Sequence, residues 1–173
     1  NLVNAFKVDA NGFPMFDTYD NEHNIHPVNG IPVDQKWDPR LFHTVGMPPF
    51  PYKYEAQYTL PTDNSRNPAN YGFYTSLKEV PQRSNGEAYD YPWQAFPMND
   101  YVLRYTDVML MRAEALIETG QLEEARTIIN DIRQRAKNSI AKHIQYAANQ
   151  CDIALYPASY FSNKEQARKC LPR

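Results

Sequence analysis

The sequence predicts a mainly α fold in which a hairpin of two amphipathic helices supports a long irregular region with a few short strands. Apolar residues recur at three- and four-residue steps from residue 101 to residue 136. Gly120 interrupts this pattern once and predicts the turn between the two helices. Prolines are frequent before residue 99 and prevent long helices there, which predicts the irregular region.

The first helix of the hairpin is expected to start after Asn99 or Asp100, because either side chain can accept the free amides of a first turn. Its apolar stripe is wide, so we expect a partner beyond the hairpin to cover a second side. The stripe consists of Val102, Leu103, Tyr105, Met109, Leu110, Ala113, Leu116 and Ile117.

The second helix shows the same period and a charge distribution that suits the helix dipole. Glu123 and Glu124 stand in its first turn, and Arg133, Arg135 and Lys137 stand in its last. Its buried face is predicted to contain Leu122, Ala125, Ile128, Ile129 and Ile132.

Small residues in both helices make the hairpin similar to a tetratricopeptide-type repeat. Ala113 and Ala125 allow close approach, with Leu116 one turn after the first and Gly120 at the turn. One clear copy is present, whereas roughly three are needed to cover the apolar faces of such a stack. We therefore expect a tetratricopeptide-like scaffold that continues into a larger helical solenoid.

The chain divides into three predicted parts: a loop-rich region at residues 1–98, the hairpin at 99–137, and a linker with the start of a further helix at 138–173. The first part holds both tryptophans and most of the tyrosine and phenylalanine. Because such loops need a scaffold and commonly carry binding, we expect this part to contribute to a ligand surface.

Short motifs predict local structure on either side of the hairpin. Asp9–Gly12 predicts a tight turn, residues 38–39 predict the start of a short helix, and Ser162–Glu165 fits a capping box. Residues 52–58 and 71–75 alternate weakly between apolar and polar, which predicts short strands.

Composition excludes several classes of protein. The formal net charge is −2 and no dense basic cluster is present, so nucleic acid is not an expected partner. No apolar run has the length of a membrane span, and no signal peptide opens the chain. Cys151 and Cys170 lack the spacing of a zinc or redox motif, so we expect packed thiols, with a disulfide as the alternative.

Metal and catalytic motifs are weak throughout. His23 and His26 lie in an irregular polar stretch that favours solvent exposure over metal binding. Asp9, Asn11 and Asp17 resemble calcium-loop spacing without the terminal bidentate glutamate, so we expect no cofactor, with calcium as the alternative. The sequence contains no nucleophile elbow, phosphate-binding glycine loop or zinc-protease helix, and we expect no enzyme activity.

Several segments, in their order along the chain, resemble the SusD/RagB family of outer-membrane nutrient-binding lipoproteins. Thr106–Asp107 departs from this pattern, since the family more often has Ala-Glu there. The chain also ends before the family's Glu-Arg-Arg and Phe-Glu-Gly segments, so we expect a carboxy-side fragment of one incomplete SusD-like domain. The matching segments are Leu2–Phe6, Gly12–Pro14, Asp38–Leu41, Val102–Tyr105, Leu110–Leu116, Gly120, Ala125, Ile129–Asn130, Ile132–Arg133 and Phe161–Ser162.

The resemblance implies a location and partners. Family members of Bacteroidetes-type bacteria are held by lipid at the outer face of the outer membrane, here through an amino terminus that this chain would lack. They bind oligo- and polysaccharides without catalysis and deliver them to a TonB-dependent transporter during polysaccharide utilisation. The remainder of its own chain would be a further partner.

The segment Tyr89–Gln94 is the predicted ligand site. Tyr89, Tyr91 and Trp93 could stack on the apolar faces of sugar rings, while Asp90 and Gln94 could bond their hydroxyls. The alternative is that Tyr91 and Trp93 anchor this loop onto the helix that follows.

Other conspicuous residues are assigned structural roles. Trp37, directly before the Asp-Pro pair, is expected to be a packing residue. Arg104, Arg112 and Glu114 are expected to form salt bridges on a helix surface.

Two other functions remain open from the sequence. One is a tetratricopeptide-type protein-interaction module without glycan binding, which soluble glycan would not inhibit. The other is part of a carbohydrate-active enzyme, which would hydrolyse the glycan that it binds.

Overall fold

The computed structural model describes residues 2–19, 35–48, 50–53, 55–61, 63, 66–78, 80–82, 84, 101–143 and 150–171. Helices account for much of this part of the chain and the strands are short, so the mainly α fold class is confirmed. The α-helices are α1 (Arg40–Thr44), α2 (Pro68–Tyr71), α3 (Tyr105–Thr119), α4 (Leu122–Asn138) and α5 (Lys164–Lys169). Short 3-10 helices span Asn4–Phe6, Ser139–His143 and Ala158–Phe161.

The strands form antiparallel pairs. Strand β1 (Lys7–Val8) pairs with β2 (Lys36–Trp37), β3 (Val45–Gly46) with β6 (Thr75–Ser76), and β4 (Pro51–Tyr52) with β5 (Glu55–Thr59). Each pair is too short to form an independent layer, so the strands depend on the surrounding side chains for their stability.

The helical hairpin is confirmed, with its turn at the predicted glycine. Gly120 has φ 84° in the left-handed region, and the backbone amides of Gly120 and Gln121 donate to carbonyls in the last turn of α3. These bonds use carbonyl groups that a helix end would otherwise leave unpaired. The tetratricopeptide-type assignment and the part boundaries at residues 99 and 138 stay predictions.

The start of α3 differs from the prediction. The helix begins at Tyr105, and the Asp107 carboxylate accepts the backbone amide of Arg104 at 2.9 Å. This reach back from the third helical position ends the helix there, and residues 101–104 are not helical. Val102 is 99% exposed, so the predicted stripe is wrong at its amino-terminal end. Asn99 and Asp100 lie outside the described residues.

The hairpin cluster is the apolar core between α3, α4 and α5. The predicted burial is confirmed for Ala113 and Leu116 of α3 and for Ala125 and Ile129 of α4. Residues after position 150 complete this core, so the hairpin does receive a further partner. The buried members are Ala113, Leu116, Ile117, Ala125, Ile128, Ile129, Tyr156, Phe161, Ala167 and Cys170.

Helix α5 is confirmed, with a different cap from the one predicted. The Asn163 side chain accepts the backbone amide of Gln166 at 2.9 Å, so Asn163 occupies the N-cap position. The Ser162 hydroxyl donates instead to the side-chain oxygen of Gln166. The helix therefore starts one residue later than the capping-box pattern indicates.

The Trp37 cluster is the second core, formed by the loop-rich region. Trp37 is fully buried, which confirms its structural role, and Asp38 opens α1 by accepting the backbone amide of Arg40 at 2.9 Å. The buried members of the cluster are Val3, Trp37, Leu41, Phe42, Val45, Met47, Phe50 and Cys151.

Local predictions for the loop-rich region hold in part. The turn at Asp9–Gly12 is confirmed, because the Asp9 carboxylate accepts two backbone amides and Gly12 has φ 84°. Residues 52–58 contribute to the β4–β5 pair. Residues 71–75 do not form one strand, because Asn67 caps α2 with Pro68 at its first position and the helix continues to Tyr71.

Residues 151–154 join the two clusters. The Asp152 amide donates to the Trp37 carbonyl at 3.0 Å, and the Ala154 amide donates to the Gly12 carbonyl at 2.8 Å. The Lys36 ammonium lies 2.9 Å from the Asp152 carboxylate. This segment therefore connects the loop-rich region to the helices through backbone bonds and one ion pair.

The cysteines are two separate buried thiols, not a disulfide. Cys151 belongs to the Trp37 cluster and Cys170 to the hairpin cluster. Burial raises the pKa of Cys151 to about 12 and that of Cys170 to about 11, so both are protonated at neutral pH. Within the described residues, no helix combines the length and apolar character needed to cross a membrane.

Candidate ligand-binding site

The predicted stacking segment lies outside the described residues. This applies to Tyr89, Asp90, Tyr91, Trp93 and Gln94 alike, so their role in binding stays a prediction. The same holds for the pair of histidines at positions 23 and 26.

The described residues contain a different group of aromatic side chains, where the Asp9–Gly12 turn meets the segment after residue 155. The ring centroids of Phe13 and Tyr160 are 5.2 Å apart with near-parallel planes, and Tyr156 lies 5.2 Å from Tyr160. Rings at such separations stabilise one another beyond the area they bury. The three residues form one rigid aromatic wall.

Arg133 fixes this wall to α4. Its guanidinium lies 4.2 Å from the centre of the Tyr156 ring, and its Nε donates to the Ala154 carbonyl at 2.5 Å. Its Nη2 donates to the Gly12 carbonyl at 3.4 Å. The prediction gave Arg133 a helix-dipole role near the end of α4, but the residue is only 4% exposed and cross-links two loops.

Burial changes the acid–base properties of this pair. Desolvation lowers the pKa of Arg133 from its ordinary value and raises the pKa of Tyr156 to about 12. Tyr156 is therefore a neutral phenol at physiological pH, and its ring face receives the cation. This pair supports the wall and is not suited to proton transfer near neutral pH.

Backbone bonds also fix the position of residue 156. The Asn130 side chain donates to the Tyr156 carbonyl at 2.9 Å and accepts the Tyr156 amide at 2.8 Å. Arg126 donates to the same carbonyl at 3.2 Å. Helix α4 thus holds the wall from three side chains, which limits its movement when a ligand binds.

An open groove of about 390 Å³ lies beside this wall. It combines two aromatic rings with hydroxyl, amide and ammonium groups, which suits a ligand with both apolar faces and hydrogen-bonding groups. The groove is lined by Phe16, Ser159, Tyr160, Gln166 and Lys169.

The sequence analysis missed this groove. Phe16 and Tyr160 lie near opposite ends of the chain, and no short motif joins them. The available signal was the aromatic pair Tyr160-Phe161 directly before the cap of α5. An aromatic pair at that position is held at a helix start and can present one ring outward.

The helix surface carries the predicted kind of ion pair in part. Arg112 of α3 bonds Glu124 of α4 across the hairpin. Arg104 precedes α3 and Glu114 is exposed on it. These residues stabilise or solubilise the scaffold and lie outside the groove lining.

A metal centre has no support within the part of the chain that the structure describes. No group of three or more histidine, cysteine, aspartate or glutamate side chains is close enough there to hold an ion. At the calcium-like spacing, one Asp9 carboxylate oxygen already accepts the amides of Asn11 and Phe13.

The fold and groove together define a mainly helical scaffold protein with an open, aromatic-lined surface cleft. The sequence profile of the SusD family matches residues 1–170, almost the whole chain, and the chain belongs to that family. Members of this family are non-catalytic surface proteins that bind glycans during nutrient uptake. A comparison with curated proteins finds no match.

Proposed function

We propose that this chain captures oligo- or polysaccharides at the bacterial cell surface and delivers them to a TonB-dependent transporter in the outer membrane. The observation that carries the proposal is the family match over residues 1–170. The groove is consistent with it, because aromatic rings beside hydroxyl and amide groups offer both kinds of contact that sugars use. A lipid anchor at the outer face of the outer membrane would hold the protein beside its transporter.

Binding without hydrolysis fits the groove. Glycosidases in most families place two carboxyl groups on either side of the scissile bond. The lining of the groove, as far as the chain is described, contains a hydroxyl, an amide and an ammonium group but no carboxylate. The proposed role is therefore capture, with any cleavage performed by other proteins.

A glycan array probed with the complete secreted protein tests the proposal, with Trp93→Ala measured beside it. Loss of binding in a variant with an unchanged melting temperature would place a stacking role on Trp93. Retained binding would move the site to other residues. Failure of the complete protein to bind any glycan would contradict the proposed function.

Delivery requires a second experiment. The complete protein should co-purify with a TonB-dependent transporter from detergent-solubilised outer membranes, and a transporter-free membrane preparation is the control. Isolation of the protein alone under conditions that keep outer-membrane complexes intact would contradict delivery by direct contact.

A second candidate function is a protein-interaction module of tetratricopeptide type. One observation favours it: α3 and the residues before it expose apolar side chains, and such patches commonly mark contacts with other chains. Soluble glycan in excess would compete with the first function and leave partner binding in the second unchanged. The exposed residues are Tyr101, Val102, Leu103, Tyr105, Val108 and Met111.

A further inference from the structure

We propose that the groove between Phe16 and Tyr160 is a saccharide subsite that prefers sugars carrying a carboxylate, such as uronic acids. The inference deepens the proposed function and rests on it, because it locates one part of the glycan site among described residues. It is independent of the segment at residues 89–94, so each can fail alone.

Phe16 is the first observation. Its φ is 40°, in the left-handed region that bulky side chains rarely adopt. The conformation is held by the turn that follows, in which the Thr18 amide and hydroxyl both donate to the Met15 carbonyl, at 2.8 and 2.9 Å. Strained conformations of this kind persist where the surroundings fix them, and they concentrate at ligand sites.

The outcome of this strain is an exposed aromatic ring. Phe16 is 40% exposed at the edge of the groove, so burial of its ring does not repay the strained backbone. A flat apolar ring at the mouth of a groove can stack on the C–H face of a pyranose. The ring therefore has a use in binding that it lacks in packing.

Tyr160 forms the opposite aromatic surface and is held in place. It packs on Phe13 with ring centroids 5.2 Å apart and an angle of 18° between the planes. The wall behind it is fixed by Arg133 through Tyr156. A ligand entering the groove would meet a ring that needs no reordering, which favours affinity.

The polar lining indicates which sugar fits. Gln166 accepts the Ser162 hydroxyl through its side-chain oxygen, which directs its amide group for donation to a sugar hydroxyl or carboxylate. Lys169 supplies an ammonium group at the groove, and the described lining has no opposing carboxylate. Donors and a positive charge are complementary to an anionic sugar.

Phe16→Gly in the complete protein is the central test, read on an array of neutral and uronic-acid oligosaccharides. Glycine adopts the left-handed backbone without strain, so the melting temperature should stay equal or rise. Loss of the ring should weaken glycan binding about tenfold, as expected for an aromatic anchor. A variant of lower stability and normal affinity would assign Phe16 to packing and overturn the subsite.

Lys53→Gly is the matched control. Lys53 is the other described non-glycine residue with positive φ, at 50°, and it lies outside the groove lining. The substitution should relieve strain to a similar degree and leave glycan affinity unchanged. An equal loss of affinity in both variants would show a general effect of the backbone change and overturn the assignment.

Lys169→Gln tests the sugar class. We expect at least about fivefold weaker binding of uronic-acid oligosaccharides, with neutral oligosaccharides bound as before. If the wild-type protein binds only neutral glycans, or if the variant binds acidic ones equally well, the preference is overturned. If the wild type binds glycans and Phe16→Gly binds them unchanged, the subsite is wrong while the proposed function stands. If the wild type binds no glycan, both fail.

Discussion

The Trp37 cluster and the hairpin cluster are built by different means. In the hairpin cluster, α3 and α4 are neighbours in sequence, and their buried residues follow a helical period. In the Trp37 cluster, the buried residues extend from Val3 to Cys151 and share no period. The comparison shows that one chain can combine a core defined by local pattern with a core defined by contacts between distant segments.

Removal of the Trp37 side chain should have the largest effect. Trp37 is fully buried, and its backbone carbonyl accepts the amide of Asp152. Trp37→Ala should lower the free energy of unfolding by about 3–5 kcal/mol, because a large cavity forms in a closely packed core. Denaturant unfolding followed by circular dichroism measures the change.

The control is Trp37→Phe, which keeps an aromatic ring and should cost less. A change below about 1 kcal/mol in Trp37→Ala would show that the cluster collapses around the missing ring. In that case the Trp37 cluster would be much less closely packed than the hairpin cluster.

Arg133→Met should have the next largest effect, because it disconnects α4 from both loops that it holds. Methionine fills similar space but cannot donate to the carbonyls of Ala154 and Gly12. We expect a loss of about 2–3 kcal/mol, as for buried acceptors left without a partner. Unfolding monitored by the near-ultraviolet signal of the tyrosines measures it.

Arg133→Lys provides the comparison for charge. Lysine keeps the positive charge but not the fork of donors, so it should recover only part of the lost stability. Full recovery by lysine would mean that charge, and not the pair of hydrogen bonds, connects the clusters.

Sequence reasoning succeeded where structure is local. The hairpin, the Gly120 turn, the Asp9–Gly12 turn and the opening of α1 each depend on neighbouring residues, and each is confirmed. The start of α3 was missed because Asp107 satisfies an amide three residues back, a contact that competes with any cap further upstream.

The candidate site was less predictable. Burial of Arg133 depends on the loops that it contacts, and its position near the end of α4 gave no sign of them. The groove joins Phe16 to Tyr160 and Gln166 through the tertiary fold, so no periodic pattern records it. The segment at residues 89–94 stays a prediction.

Gly120→Ala should have a smaller effect, confined to the hairpin cluster. A Cβ at this position would meet only Lys164 Cε at 4.0 Å, so the cost is conformational and not steric. We expect a loss of about 1 kcal/mol, since alanine resists the left-handed φ of 84°. Thermal unfolding measures it, and Gly120→Asn should cost less because asparagine tolerates this region. Equal stability of the wild type and both variants would contradict the capping role.

The smallest effect is expected from the ion pair between Glu118 of α3 and Arg168 of α5. Hydrogen bonding by Arg168 holds the pKa of Glu118 below its ordinary value of 4.5. The pair therefore contributes stability above that pH, and the contribution is lost as the pH falls through the lower pKa of the folded state. The melting temperatures of wild type and Glu118→Gln should differ slightly at pH 7 and converge in acid, more so at low salt. A difference that grows in acid would contradict this role.

The bonds from residues 152 and 154 back to Trp37 and Gly12 have a consequence for the order of folding. Lys36 and Asp152 are 116 positions apart, so closing this connection confines a long loop and costs much chain entropy. The hairpin, by contrast, needs only neighbouring segments. We expect the hairpin to form early and the Trp37 cluster to consolidate last, after the carboxy-terminal segment has left the ribosome. In refolding experiments, helical circular dichroism should then recover before the indole of Trp37 is shielded from solvent.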